Sequence, residues 1–430
     1  MRKTAQLQLP GDTAAIKTQL LYWANQHTVA VCLDHNGYPD SGYHSWDFLV
    51  AAGVVDELRL PAGNAFSALS DWVNGHGDWC FGTLAYDLKN EVERLVSGHP
   101  DGVGWPDLYF FQPEVVIGLR GNQATIFSKN RDPEEVAQSV IRTLVTASPP
   151  GLTTPAPLQT RFSRSDYLAT VTAIQQHILA GDMYELNLCQ EFFAEGLHLD
   201  PVSVFSRLNA LASAPFSAYF RLQEHYLCCA SPERFLKKTG NQLVSQPIKG
   251  TRRRGTTPEQ DAAIRQELAA SEKDRAENVM IVDLVRNDLA RSCQPGSVRV
   301  AELFGIHTFE TVHQMISTVT GTLRDGMDGL AALRAAFPMG SMTGAPKVMA
   351  MQLIERYERS RRGLYSGAVG YCTPEGDFDF NVVIRSILYN ATTCYASVHV
   401  GGAIIYDSVP EQEYEECLVK AAAMLRVLGF

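Results

Sequence analysis

The sequence predicts an α+β fold, because strand-rich blocks and helical blocks follow one another along the chain. The strand-rich blocks are residues 217–250, 367–388 and 394–405. The helical blocks are residues 166–180, 258–270, 271–289 and 410–428. Runs of strands separated by runs of helices are typical of layered α+β folds, whereas a regular βαβ winding would alternate single strands with single helices.

The helix predicted over residues 166–180 has apolar side chains that recur every three or four residues and share one face. The residues on this face are Tyr167, Val171, Ile174 and Ile178. Ser165 is the expected N-cap, and Gly181 is expected to end the helix. Residues 184–188 then alternate polar and apolar side chains, which predicts a half-buried strand.

Residues 217–250 contain several short apolar runs and predict an antiparallel meander. A hairpin turn is expected at residues 239–241, where the chain reads Thr-Gly-Asn. Glycine and asparagine tolerate the left-handed backbone conformation that tight turns need.

Composition and charge exclude several classes of protein. The chain has 430 residues, 45% of them hydrophobic, and a formal net charge of −10, so we expect a globular protein with no nucleic-acid partner. No apolar run approaches the roughly 18 residues that a membrane helix needs, so we expect no membrane partner. The start of the chain lacks the apolar stretch of a signal peptide, and the nine scattered cysteines include no Cys-x-x-Cys motif. We therefore expect a cytoplasmic protein.

A proline-rich stretch at residues 148–157 predicts a linker. It holds four of the 21 prolines, which favour an extended backbone. All five tryptophans precede it. We therefore expect a boundary near residue 155 that separates residues 1–155 from residues 156–430.

Two acidic pairs carry the sharpest chemical signal. Asp274 and Glu277 lie three residues apart on one predicted helix. Glu413 and Glu416 repeat this spacing on the last helix, and Lys420 follows one turn later. Residues three apart project from the same helix face, and carboxylate oxygens are the ligands that Mg²⁺ prefers. The alternative is an ordinary solvent-facing helix in which Glu416 forms an ion pair with Lys420.

Residues 246–255 form a basic segment in an otherwise acidic chain. Lys249 lies between Pro-Ile and Gly, so a tight turn could desolvate its amine, lower its pKa and make it a nucleophile or base. The alternative is a solvated basic loop. Glu233, which follows a proline between two predicted strands, is a candidate general acid or base. The alternative for Glu233 is an ion pair with Arg234 or another arginine.

Small residues at 340–347 and at 398–402 would let backbone N–H groups approach an anionic ligand closely. The first of these segments lacks the Walker A spacing, so it does not predict ATP binding. Arg385 lies in an apolar predicted strand and needs an anionic partner. That partner is either a substrate carboxylate or an internal aspartate.

In their order along the chain, these segments resemble the chorismate-utilising enzymes over roughly residues 160–430. The resembling segments are 231–235 (Ser-Pro-Glu-Arg-Phe), 247–251 (Pro-Ile-Lys-Gly-Thr), 273–278 (Lys-Asp-Arg-Ala-Glu-Asn), 281–288, 340–347, 367–371 (Gly-Ala-Val-Gly-Tyr), 384–385, 401–402 and 413–416. The resemblance implies two stacked, roughly orthogonal β-sheets flanked by helices, with the active site between the sheets. It also implies that residues 156–430 form a chorismate-binding catalytic domain. Residues 1–155 would form an N-terminal region like that of anthranilate synthase component I.

The resemblance further implies amination of chorismate to 4-amino-4-deoxychorismate, on the para-aminobenzoate route to folate. A separate glutamine amidotransferase subunit would supply the ammonia. Lys249 would attack the ring, and Glu233 would protonate the departing hydroxyl. The implied Mg²⁺ ligands are Glu277 and Glu416, with Asp274 and Glu413 close by through water. The implied substrate-binding residues are Thr343, Tyr371, Arg385, Gly401, Gly402 and Lys420.

The resemblance leaves alternatives open. Lys249 favours the para-aminobenzoate branch, since anthranilate synthase component I usually has alanine in the same motif. Isochorismate and salicylate synthases also use a lysine as a base for water, so they remain alternatives, as do anthranilate synthase component I and a catalytically silent chorismate-binding subunit. Two positions depart from the family pattern. Arg253 stands where proline is usual, and Gln314 stands where many members have histidine, with His313 one residue earlier.

Overall fold

The computed structural model describes residues 2–38, 43, 45–145, 156–310 and 312–430. Most of the predicted linker, together with the boundary expected near residue 155, lies outside the described residues. The described part of the chain contains eleven α-helices, twenty strands and two short 3₁₀ turns. Within that part, no helix combines the length and apolar character needed to cross a membrane.

Helices occur along the whole chain. They are α1 (Thr13–Ala24), α2 (Ala65–His76), α3 (Lys89–Val92), α4 (Pro133–Ile141), α5 (Arg164–Leu179), α6 (Pro201–Ala212), α7 (Pro258–Ala270), α8 (Glu272–Ala290), α9 (Gly329–Ala336), α10 (Lys347–Tyr357) and α11 (Pro410–Leu428). Helices α7 and α11 have the predicted bounds, and α8 is shifted by one residue. Ser271 explains the shift, because its hydroxyl accepts a hydrogen bond from the N–H of Asp274 and caps α8 from outside the helix.

The strands also span the chain. They are β1 (Lys3–Gln8), β2 (Val29–Asp34), β3 (Phe48–Leu60), β4 (Cys80–Leu84), β5 (Leu108–Arg120), β6 (Gln123–Ser128), β7 (Gln159–Thr160), β8 (Glu185–Ala194), β9 (Phe216–Leu222), β10 (His225–Ser231), β11 (Arg234–Thr239), β12 (Gln242–Gln246), β13 (Ile248–Arg253), β14 (Arg299–Thr308), β15 (Val312–Thr322), β16 (Gly344–Ala345), β17 (Ala368–Cys372), β18 (Phe378–Asn381), β19 (Ser386–Asn390) and β20 (Tyr395–Ile404).

These strands pair antiparallel in two sheets. The first sheet has the order β1–β6–β5–β3–β2–β9–β10–β19–β20–β8, and the short strands β7 and β16 pair with β8. The second sheet has the order β5–β4–β17–β18–β11–β12–β15, and β15 also pairs with β13 and β14. The two sheets are joined because β3 and β5 take part in both.

The long strands β3 and β5 carry the chain from one sheet to the other. Residues Leu108–Phe111 of β5 pair with β4, whereas residues 115–120 pair with β6. The ladder between β3 and β5 shifts register between Val54 and Asp56, next to Gly53 with a φ of +74°. An extra residue of this kind bends a strand and lets it change sheets.

The helices and sheets form four layers, with buried side chains packed between them. A cluster that includes Phe81, Phe111 and Phe220 contains strand and loop residues but no helical residue of the described chain, so it is the core between the sheets. A second cluster packs α1, α4, α5, α6, α10 and α11 on the first sheet. A third packs α2, α8 and α9 on the second sheet. The layers run helix, sheet, sheet, helix, which confirms the predicted α+β fold.

Strands from both sides of residue 155 lie next to one another in these sheets. β2 pairs with β9 along its whole length, and β4 pairs with β17. The two predicted regions therefore share both sheets and the core between them.

Three local predictions differ from the structure. Ser163, rather than Ser165, caps α5, because its hydroxyl accepts from the N–H of Asp166 at 3.1 Å. β8 is buried throughout rather than half-buried, because both of its faces are covered. The meander predicted over residues 217–250 breaks after β10, which pairs with β19, while β11 pairs with β18 in the other sheet. The predicted turn at residues 239–241 is confirmed, since Thr239 pairs with Gln242.

Candidate active site

Two short connections between strands lead from one sheet to the other and lie side by side. One crossing joins β10 to β11 and contains Glu233, and the other joins β18 to β19 and contains Arg385. The N–H of Val382 donates to the carbonyl of Glu233 at 3.0 Å, and the N–H of Ala230 donates to the carbonyl of Arg385 at 3.1 Å. These bonds hold the crossings side by side. Glu233 and Arg385 therefore both lie where the sheets meet.

The side chain of Glu233 is buried and turned away from Arg234. The hydroxyl of Ser341 donates to Glu233 Oε1 at 2.6 Å. Arg234 instead forms a bidentate pair with Asp379, at 2.9 and 3.1 Å. Burial raises the pKa of Glu233 to about 7, although the Ser341 hydroxyl and Lys249 oppose the rise. A carboxyl group with such a pKa can deliver a proton near neutral pH.

Ser341 and Thr343 belong to the glycine-rich loop at residues 340–347. Gly340 packs closely there, because an added Cβ would lie 2.4 Å from Leu284 Cδ2 and would force that side chain to shift. Thr343 is fully buried, and its hydroxyl lies 3.1 Å from the carbonyl oxygen of Met339. The structure therefore turns the hydroxyl of Thr343 onto its own loop, while Ser341 presents its hydroxyl to Glu233.

Lys249 reaches into a group of carboxylates. Its Nζ donates to Glu185 Oε1 at 3.1 Å and lies 3.9 Å from Glu277 Oε2. Burial by itself lowers the pKa of Lys249, but the carboxylates of Glu185 and Glu277 outweigh burial and hold that pKa above its ordinary value. The expectation of a lowered pKa was therefore wrong for the chain by itself, because it did not include these acids. The alternative of a solvated loop is also wrong for this side chain, which is only 13% exposed.

On α8, Asp274 and Glu277 face the segment that carries Lys249. Asp274 accepts from Arg252 Nη2 at 2.9 Å. Gly250 adopts a φ of +82°, and an added Cβ there would lie 2.9 Å from Asp274 Oδ1, so only glycine allows this approach. Burial raises the pKa of Glu277, although Lys249 opposes the rise.

On α11, the second acidic pair lies next to Gly402. An added Cβ on Gly402 would be 3.3 Å from Glu413 Oε2 and 3.5 Å from Glu416 Oε1. Glu413 accepts from Ser408 at 2.8 Å, and burial raises the pKa of Glu413. Burial would also raise the pKa of Glu416, but Lys420 at 2.6 Å holds that pKa below its ordinary value.

The four carboxylates suit a hard divalent cation by their chemistry. Lys249 and Lys273 act electrostatically on both Glu277 and Glu416, so the acids of α8 and α11 face a shared region. Two of the four, Glu277 and Glu413, have raised pKa values, first because they are buried and then because other carboxylates lie nearby. Among the described residues, no three His, Cys, Asp or Glu side chains converge as a metal cluster. The carboxylate oxygens are donors of the kind that Mg²⁺ prefers, but in this structure they are engaged with protein groups.

Gly401 and Lys420 complete the α11 side of the region. The carbonyl of Gly401 accepts from Lys420 Nζ at 2.7 Å. An added Cβ on Gly401 would lie 2.5 Å from the carbonyl oxygen of Leu188 and 2.6 Å from Cys189 Sγ. Close packing therefore requires glycine at position 401, whereas the nearest atoms to an added Cβ at Gly402 are the ends of acidic side chains.

Arg385 adopts a left-handed backbone conformation, with a φ of +53°. Burial lowers the pKa of its guanidinium, while Tyr365 and Glu416 oppose the shift. Among the described residues, no carboxylate forms an ion pair with Arg385. The alternative in which an internal aspartate pairs with Arg385 is therefore wrong for the described residues. The guanidinium can bind an anionic ligand.

Tyr371 lies away from Arg385, in the core between the sheets. Its ring packs 5.8 Å from that of Phe81 and 5.9 Å from that of Trp79. Tyr365, which the sequence analysis missed, is instead the tyrosine that interacts with Arg385. Strand alternation explains the error, because Tyr371 and Val369 of β17 share the inter-sheet face, whereas Tyr365 precedes the strand.

One face of β8 supplies further residues that the sequence analysis missed. Glu185 and Asn187 project from this face toward Lys249 and the 340–347 loop. Cys189, two residues on, lies with its Sγ 3.8 Å from the hydroxyl of Tyr365. The predicted alternation of residues 184–188 was the available signal, because it places Glu185 and Asn187 on one face.

Gln314, which stands where many family members have histidine, and its neighbour His313 lie on opposite faces of β15. His313 Nε2 lies 2.9 Å from Asp261 Oδ1 on α7, while Gln314 Nε2 donates weakly to the Thr251 hydroxyl at 3.5 Å. Gln314 is buried, and its Oε1 has no hydrogen-bond partner. The shift by one residue therefore changes the surroundings completely, as strand geometry requires.

Comparisons with known proteins find relatives of this chain. The aminodeoxychorismate synthase of Streptomyces griseus is 40% identical over 407 residues, which cover 90% of this chain and 54% of that protein. Aminodeoxychorismate synthase component 1 of Bacillus subtilis (strain 168) is 35% identical over 405 residues, which cover 91% of this chain and 82% of that protein. This chain thus spans about half the length of the Streptomyces protein.

A solved structure with a similar fold is anthranilate synthase component I from Streptococcus pneumoniae TIGR4. The TM-score is 0.77 at 25% identity, and the match covers 87% of this chain and 91% of that one. The family model described as chorismate binding enzyme matches residues 49–426 and so continues across the predicted boundary at residue 155. The resemblance predicted from the sequence is confirmed, and this chain belongs to the chorismate binding enzymes.

Proposed function

We propose that this protein converts chorismate and ammonia to 4-amino-4-deoxychorismate. The observation that carries the proposal is the position of Lys249. Its amine contacts the carboxylate of Glu185 and interacts electrostatically with Glu233. A buried amine beside a carboxyl group that can donate a proton suits displacement of a ring hydroxyl by an amine. The names of two similar proteins, aminodeoxychorismate synthases, support the same assignment.

In the proposed reaction, Lys249 forms a bond from Nζ to the chorismate ring. Glu233 gives its proton to the departing hydroxyl, which leaves as water. Ammonia then displaces Lys249 from the ring. The neutral form of Glu233 that this step needs is favoured up to about pH 7.

Binding of the substrate would rest on cationic and backbone groups. Arg385 would hold the enolpyruvyl carboxylate, with the hydroxyl of Tyr365 in place of that of Tyr371. Gly401, Gly402 and Lys420 would border the ligand from the α11 side. Thr343 would shape the adjoining loop through its bonds to loop carbonyls.

The acidic pairs would hold Mg²⁺. Glu277 and Glu416 would be its ligands, with Asp274 and Glu413 close by, and the ion would supply charge neutralisation for the ring carboxylate. Ammonia would come from a glutamine amidotransferase subunit.

The test is the identity of the product. The purified chain is incubated with chorismate, Mg²⁺ and ¹⁵N-labelled ammonium, and the product is analysed by mass spectrometry. We expect 4-amino-4-deoxychorismate that carries the label. Labelled anthranilate would assign the chain to anthranilate synthesis, and unlabelled isochorismate or salicylate would assign it to a water-using branch.

The variant Lys249→Ala tests the covalent role in the same assay. We expect turnover to fall at least about 100-fold, because the variant removes the amine that forms the bond to the ring. The melting temperature should change little. Turnover close to that of the unaltered chain would contradict the role of Lys249 but not the identity of the product.

A further inference from the structure

Glu185 is a buried carboxylate to which neither the sequence nor the family resemblance assigns a role. It lies at the start of β8 and is 1% exposed. Its Oε1 accepts from Lys249 Nζ at 3.1 Å. Its Oε2 is buried and has no hydrogen-bond partner. The side chain therefore uses half of its acceptor capacity on the amine and leaves the other half unused.

Such an arrangement is unusual for a purely structural ion pair. Buried carboxylates in stable pairs normally have both oxygens hydrogen-bonded, because an unpaired buried acceptor carries a desolvation penalty. The buried pair of Lys347 and Asp288 in this chain follows that rule, with both carboxylate oxygens 2.7 Å from Nζ. An unused buried acceptor next to a reactive amine indicates a function.

Each of the other carboxylates around Lys249 already has a task in the proposed function. Glu233 donates its proton to the departing hydroxyl. Glu277, at 3.9 Å from Nζ, is a proposed Mg²⁺ ligand, and cation binding would draw it away from the amine. Glu185 is the carboxylate nearest to the amine, and neither of these two roles is assigned to it.

We propose that Glu185 is the positioning residue for Lys249, and that it takes up a proton from the ammonium form of Lys249 before attack and returns it after ammonia has displaced the amine. The inference rests on the proposed function. Glu185 would act through Lys249, because its Oε1 accepts a hydrogen bond from the Nζ of that lysine.

The proton balance of the reaction closes with Glu185 in this role. Before attack, the ammonium form of Lys249 gives one proton to Glu185. The neutral amine forms the bond to the ring, the ring carbon–oxygen bond breaks, and the Glu233 proton leaves with water. Ammonia forms the next bond and expels Lys249 as a neutral amine, which regains its proton from Glu185. The new ring ammonium returns a proton to Glu233, so both acids end as they began.

The test compares Glu185→Gln with Glu185→Asp in steady-state assays on chorismate and ammonium. Glutamine keeps the size of the side chain but cannot take up a proton, so we expect kcat to fall about 100-fold while KM for chorismate stays within about threefold. Aspartate keeps the carboxylate, so we expect it to be at least about tenfold more active than the glutamine variant. A merely structural role would not produce this rescue by the shorter acid.

The control is Glu355→Gln, which removes a glutamate–lysine pair away from this region, that of Glu355 with Lys89 at 3.3 Å. Its kcat should match that of the unaltered chain. The inference is overturned if Glu185→Gln keeps kcat within about threefold, if Glu185→Asp is no more active than Glu185→Gln, or if the loss follows a large drop in melting temperature. If the unaltered chain forms no 4-amino-4-deoxychorismate, the proposed function fails and this inference fails with it.

Discussion

At the scale of single residues, the candidate site places one buried amine among several acids. The amine of Lys249 lies among Glu185, Glu277 and Glu233, so the buried charges around it do not cancel. Burial raises the pKa of Glu233, whereas the neighbouring carboxylates hold the pKa of Lys249 above its ordinary value.

From the pKa of Glu233 we predict that kcat falls at high pH. Its pKa is about 7 in the folded chain, so kcat should fall as pH rises through about 7 when the concentration of unprotonated ammonia is held constant. Glu233→Gln should abolish this fall along with most of the activity. A rate that stays constant up to about pH 9 would contradict the role of general acid.

The same pKa predicts a change in stability with pH. Because the folded chain holds the Glu233 proton more tightly than the unfolded chain, whose reference pKa is 4.5, the contribution to stability is full below about pH 4.5. It is lost as pH rises through about 7. Glu233→Gln should therefore have a smaller decline in melting temperature between about pH 5 and 7 than the unaltered chain, as measured by calorimetry.

The two tyrosines predict a clear difference in substrate affinity. Tyr365→Phe should raise KM for chorismate about tenfold, because it removes one hydroxyl near Arg385 and one hydrogen bond contributes about 1.4 kcal/mol. Tyr371→Phe is the matched control and should leave KM unchanged, since its ring lies in the core between the sheets. The opposite result would restore Tyr371 as the binding residue.

At the scale of elements, each functional group is placed by a local rule. Strand β8 presents Glu185, Asn187 and Cys189 on one face because its side chains alternate. Helices α8 and α11 present their acids in pairs because residues three apart share a face. The crossings that carry Glu233 and Arg385 are irregular, and Pro232 explains part of this, since proline cannot donate to a ladder.

At the start of α5, we predict that substitutions of Ser163 and Ser165 reduce the stability of the chain by different amounts. Ser163→Ala should destabilise the chain by about 1 kcal/mol, because the N–H of Asp166 loses the acceptor that caps the helix. Ser165→Ala should cost much less, since Ser165 lies inside the first turn and contacts only the Ser163 hydroxyl in the described structure. Urea unfolding measures both. Equal losses would contradict the position of the cap.

At the scale of the whole molecule, the two sheets depend on strands from both ends of the chain. β9 would lose its partner β2, and β17 would lose β4, if residues 1–155 were absent. The core between the sheets would also lose Phe81 and Phe111. A chain of residues 156–430 alone should therefore show no cooperative thermal transition, as measured by circular dichroism. A cooperative melt within about 5 °C of that of the full chain would contradict this.

The sequence by itself determined the features that depend on neighbouring residues. Helices α7 and α11, the spacing of the acids and the turn at residues 239–241 follow from local periodicity and from the residues that begin or end an element. The same local order carried the family resemblance, and with it the α+β fold and the candidate roles of Lys249 and Glu233.

Only the tertiary structure decided which side chains meet. Glu185 lies 64 positions from Lys249, and Ser341 lies 108 positions from Glu233, so no local pattern links either pair. The choice of Tyr365 over Tyr371 depends on which face of β17 covers the other sheet, and the raised pKa of Lys249 depends on acids from β8 and α8. These contacts form because two bent strands bring distant segments into one four-layered core, whose packing is a property of the whole chain.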